Sequence, residues 1–71
     1  MEKGLIALSA AIAIAVSGLA TAWAQSKIGS AGAGAIAEKP EVSGTIIILM
    51  AIPETMVILG FVIAVMIILG I

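Results

Sequence analysis

Two long apolar runs, separated by one short charged segment, organise the chain. The first, residues 4–24, carries no charge over its 21 residues. As a helix it would be about 31 Å long at ~1.5 Å rise per residue, enough to cross a bilayer. No proline occurs before Pro40, so the helix can run on through Gln25, Lys27 and Ile28 to about Ala37. Glu38, Lys39, Pro40 and Glu41 form the only charged cluster between the runs. A proline disfavours helix at the residue before it, so the turn belongs there. The second run covers residues 42–71. Neither run has a polar face, the mark of a helix surrounded by apolar material on all sides. The pattern predicts an all-α membrane protein, a two-transmembrane-helix antiparallel hairpin. Its single domain would be residues 1–71, with helix 1 at about 4–37, a polar turn at about 38–42 and helix 2 at about 43–71.

One charge breaks the second run. Glu54 lies in its interior, with no other charged residue between Val42 and Ile71. A carboxylate at bilayer depth is costly, and such residues mark ion pathways and proton relays. Gln25 precedes Pro40 by 15 residues and Glu54 follows it by 14. Folding at Pro40 puts both at roughly 21–23 Å from the turn, so the amide comes level with the carboxylate. Pro53 removes a backbone donor and crowds the carbonyl of Leu49. A kink with a loosened carbonyl near Ile52 is expected, and Thr55 adds a hydroxyl. Gln25, Glu54, Thr55 and the Ile52 carbonyl then form an oxygen-rich nest suited to H+ or a hard cation.

Helix 1 is small-sided. Gly18, Ala22, Ser26, Ser30 and Gly34 recur every four residues, with Gly29, Gly32 and Ala33 beside them. Rows of small residues let helices approach closely in lipid. This predicts many copies of helix 1 packed as the inner layer of a closed homo-oligomeric ring. Helix 2, with Ile46, Ile47, Ile48, Leu49, Ile58, Leu59 and Phe61, is bulkier and would form the outer, lipid-facing layer.

Composition narrows the chemistry. Of 71 residues, 63% are hydrophobic, and there is no cysteine or histidine, which removes disulfides, thiolate chemistry and the usual zinc sites. Arginine is absent and the net charge is −1, so no basic patch suits nucleic acid. No GxxxxGK[ST] sequence occurs, so no nucleotide site is expected and the chain is not read as catalytic by itself. Lys27 and Lys39 read as interfacial anchors that favour the turn side as cytoplasmic, although Lys3 lies at the other end.

Ala24-Gln25-Ser26-Lys27-Ile28-Gly29, Gly34-Ala35-Ile36-Ala37-Glu38, Ile52-Pro53-Glu54-Thr55 and Ile58-Leu59-Gly60-Phe61 together resemble the rotor-ring proteolipid, the c or K subunit, of rotary A/V-type ATPases. The resemblance covers residues 10–68. It implies a ring of hairpins in a prokaryotic plasma membrane, carrying H+ or Na+ past a stator subunit with a basic residue. ATP synthesis or hydrolysis would be coupled to its rotation, and no cofactor is implied beyond the transported ion. Glu54 then matches the ion-binding carboxylate, Gln25 the helix 1 amide, Thr55 the hydroxyl of sodium-binding members and Ile52 the carbonyl donor. Glu54, Gln25 and Thr55 are the residues that would hold Na+. Glu38, Lys39, Pro40 and Glu41 match the cytoplasmic loop that touches the central stalk. Met56 stands where some sodium-binding relatives have a polar side chain, which favours H+ slightly over Na+.

Other readings compete. Glu54 could line the passive channel of a small pore-forming or holin-like oligomer, or pair with a basic residue as a membrane adaptor. Thr55 could bond back to its own helix. Residues 1–24 also fit a cleavable leader ending at Ala22-Trp23-Ala24, although removing it would leave Glu54 on a single span.

Overall fold

The computed structural model describes residues 2–71. Met1, the first residue of the expected domain, lies outside them. Helix α1 spans Lys3–Glu38, a 3-10 turn spans Pro40–Val42, and helix α2 spans Ser43–Leu69. The hairpin expected from the two apolar runs is the architecture observed, and its Cα envelope measures 54 × 17 × 7 Å. With 36 and 27 residues, both helices exceed the roughly 20 needed to span a hydrocarbon core.

Helix α1 stops where Pro40 requires it. Lys39 leaves helical geometry at φ −136°, while its N–H still donates to the Ala35 carbonyl at 2.8 Å. Pro40 opens the 3-10 turn, which the Val42 N–H closes onto the Lys39 carbonyl at 3.0 Å. At the other end Gly70 adopts φ 75°, and Ile71 N–H reaches back to the Met66 carbonyl at 3.0 Å. This left-handed stop caps α2 with a residue that has no Cβ to clash.

The helices meet along a narrow seam. On α2 a stripe of less exposed positions, Ser43, Ile46, Met50, Pro53, Val57, Gly60, Ala64 and Ile67, runs at alternating steps of three and four, with Val65 beside it. On α1, Ala10, Ile14, Ser17, Thr21, Ala24, Ile28, Gly32 and Ala35 follow the same kind of stepping. Such a repeat keeps one stripe of each helix facing its partner, as in coiled coils. Small residues receive large ones across the seam. A Cβ on Gly32 would lie 2.5 Å from Ile46 Cγ2, and one on Gly29 3.7 Å from Met50 Cε. At Gly60 a Cβ would lie 2.8 Å from Ser17 Cβ and 3.1 Å from the Ala13 carbonyl. The backbones therefore pack as closely as glycine allows.

Little else is covered. Leu19, Trp23, Ile47, Ile48 and Leu59 are all more than 60% exposed. An apolar surface of this extent requires lipid or neighbouring chains. Beside it, the Lys27 ammonium sits 5.6 Å from the Trp23 ring centroid.

Candidate ion-binding site

Helix geometry brings Gln25 and Glu54 to the same height, and the seam turns them towards each other. Gln25 Nε2 donates to Glu54 Oε2 at 2.9 Å and to the Met50 carbonyl at 3.2 Å. One turn earlier on α1, Thr21 Oγ1 donates to the Pro53 carbonyl at 2.9 Å. Thr21 is 4% exposed and Pro53 is buried, so this bond lies in the dry part of the seam. Glu54 sits at its edge, exposed on the flank of the hairpin.

The residues of the expected four-oxygen nest fall into two hydrogen-bonded pairs. The Ile52 carbonyl accepts the Thr55 hydroxyl at 2.7 Å, a bond within α2. Helix α2 continues through Pro53 as one element, although proline has no N–H to give the Leu49 carbonyl. Gln25 presents its nitrogen to the carboxylate. The structure thus pairs Gln25 with Glu54 and, separately, Thr55 with Ile52, and among the described residues no hydrogen bond joins the pairs.

Thr21 and Met50 were missed by reasoning from the sequence. Both were within reach of it, because residues four apart share a helix face. Thr21 lies one turn before Gln25, and Met50 one turn before Glu54.

Within the hairpin the small-residue row divides. Gly18 faces α2, where a Cβ would lie 3.9 Å from Val57 Cγ2. Ala22, Ser26, Ser30 and Gly34 are exposed, and a Cβ on Gly34 would meet nothing within 4 Å. Glu38, Lys39, Pro40 and Glu41 are exposed at the closed end of the hairpin.

The profile of the family of ATP synthase C subunits matches residues 8–67, most of both helices and the site between them. The chain belongs to this family. It is 43% identical over 68 residues to the V-type sodium ATPase subunit K of Enterococcus hirae, covering 96% of this chain and 44% of the relative. It is 36% identical over 61 residues to the A-type ATP synthase subunit K of Methanocaldococcus jannaschii, covering 86% of this chain and 28% of the relative. The chain thus spans less than half the length of each of these relatives. Family membership and two long apolar helices make it an integral membrane protein.

A family member built this way holds one carboxylate oxygen on an amide N–H and presents the carboxylate on an open flank. Small residues line the same side of α1 at seven-residue steps, Ala11 and Gly18 leading to Gln25. On α2 the same spacing leads from Glu54 to Phe61 and Ile68.

Proposed function

We propose that the chain is the rotor-ring subunit of an A/V-type rotary ATPase, carrying H+ or Na+ on Glu54. The observation that carries this reading is the Gln25–Glu54 hydrogen bond at 2.9 Å on the open flank of a family-matched hairpin. A charged carboxylate facing hydrocarbon is costly, so Glu54 enters lipid only when loaded. At the stator, a basic residue of another subunit and a water path let it release its ion and take another. Unloaded sites do not return to lipid, and this bias converts an ion gradient into torque.

Copies of the hairpin close a ring, with α1 inside and α2 outside. Two features support this. The exposed row Ala22, Ser26, Ser30 and Gly34 offers close contact to a neighbouring helix. The flank that carries Glu54 continues into an apolar groove lined by Ala7, Ala11, Phe61 and Val65, which a second copy would cover. The exposed turn at Glu38–Glu41 meets the central stalk on the cytoplasmic side of a prokaryotic plasma membrane. The chain itself supplies transport, and ATP chemistry resides on other subunits.

The test is Glu54→Gln in the assembled complex. Glutamine keeps the volume and cannot exchange an ion, so ATP-driven ion uptake into proteoliposomes should vanish while the detergent-solubilised ring keeps its mass. Normal uptake by the variant would overturn the reading. Ion leak through the wild-type chain alone would favour a passive pore instead.

A further inference from the structure

Thr21 stands apart from the other helix hydroxyls. Ser9, Ser17, Ser26, Ser30 and Thr55 each donate to a carbonyl three or four residues back on their own helix. That is the ordinary fate of Ser and Thr in apolar helices. Thr21, the buried polar residue of the seam, donates instead across to α2, onto the Pro53 carbonyl at 2.9 Å. Among the described residues it is the one hydroxyl whose hydrogen bond leaves its own helix.

Its acceptor is well placed to matter. The Pro53 carbonyl belongs to the peptide that leads into Glu54. Pro53 lacks the N–H that would tie this turn back to Leu49, so α2 is held less firmly there than elsewhere. Two donors from successive turns of α1 grip this stretch from outside. Thr21 holds Pro53, and Gln25 holds Met50 and the carboxylate itself. Deleting the first grip would loosen this stretch, and a small rotation at Pro53 would move the Glu54 side chain relative to Gln25.

We propose that Thr21 is a positioning residue for the ion site: it fixes the Pro53–Glu54 peptide so that the carboxylate meets Gln25. The proposal deepens the rotor reading and rests on it for its functional meaning. Thr21 touches neither the ion nor the carboxylate and acts through the backbone of α2.

The test compares Thr21→Val, which keeps shape and loses the hydroxyl, with Thr21→Ser, which keeps the hydroxyl. Both are read in the assembled complex by the rate of carbodiimide labelling of Glu54 and by the coupling-ion concentration giving half-maximal transport. Thr21→Val should change both by roughly five- to tenfold, the effect of one lost buried hydrogen bond. Thr21→Ser should stay within about twofold of wild type, and the ring should keep its mass in each variant. Should Thr21→Val fail to assemble, Thr21→Ala against Thr21→Ser reads the same hydroxyl. Wild-type labelling and ion dependence in the variant lacking the hydroxyl would overturn the proposal. So would equal changes in the variants with and without it, since Thr21 would then only fill the seam. Neither result touches the rotor reading, which fails only if coupled transport survives Glu54→Gln.

Discussion

Gln25 and Glu54, 29 residues apart in the chain, are joined by a hydrogen bond of 2.9 Å between Nε2 and Oε2. The same nitrogen also reaches the Met50 carbonyl, one turn before the carboxylate. The amide therefore sets both the position of Glu54 and the backbone that carries it. Removing it should be felt at the ion, not only in packing. Gln25→Ala should change ion affinity by about 1.5 kcal/mol, roughly tenfold, as expected for a hydrogen bond to a charged group. The measurement is the coupling-ion concentration for half-maximal ATP-driven transport. An unchanged value would mean that the amide only joins the helices.

Labelling by a hydrophobic carbodiimide should fall on Glu54 and spare Glu2, Glu38 and Glu41. Glu54 lies in the interior of an apolar helix, whereas the other three lie at helix ends or in the turn. Mass spectrometry of the labelled chain locates the adduct. Even modification of all four carboxylates would count against a special site.

The identity of the ion is read by the same chemistry. Thr55 is engaged with the Ile52 carbonyl of its own helix, and Gln25 turns a donor towards the carboxylate. With H+ as the coupling ion, millimolar Na+ should leave the labelling rate unchanged. Thr55→Val should then keep transport within about twofold of wild type. Protection by Na+ but not by K+, with a large loss in Thr55→Val, would assign the site to sodium.

Two glycines separate hairpin packing from assembly. A methyl on Gly60 collides with Ser17 and crowds the Ala13 carbonyl. Gly60→Ala should therefore destabilise the hairpin by about 1–3 kcal/mol. Reversible denaturation in mixed micelles, followed by the emission of Trp23, the only tryptophan, measures this. Gly34 has nothing within 4 Å, so Gly34→Leu should leave that transition unchanged and instead disrupt or resize the ring. An intact ring in Gly34→Leu would place this face towards lipid or an open lumen.

The heights of the residues were legible in the sequence, and their rotation about the helix axes was not. Rise per residue is nearly constant, so counting from Pro40 was enough to bring Gln25 level with Glu54. Facing depends on small angles that accumulate. A row at four-residue steps turns about 40° per step, so the line from Gly18 to Gly34 winds roughly 160° around α1. Gly18 consequently faces α2 while Gly34 faces away. The sequence presents them as one stripe.

The choice of hydrogen-bond partner shows the same division. The proline and the hydroxyl of Thr55 could be read directly, but a hydroxyl in an apolar helix has several carbonyls within reach. Thr55 takes the Ile52 carbonyl on its own helix, and Thr21 takes the Pro53 carbonyl across the seam. The difference follows from burial: Thr55 is exposed, whereas Thr21 lies where α2 approaches closely enough to offer its backbone.

The sequence by itself determined two membrane-length helices, a turn at the first proline and a carboxylate level with an amide. Apolar run length, the chemistry of proline and a fixed helical rise are local properties. Only the tertiary structure decided that α1 grips Met50 and Pro53 and that Glu54 opens onto one flank. These depend on the rotational phase of one helix against the other, which is set by how the glycines of one seam receive the large side chains of its partner.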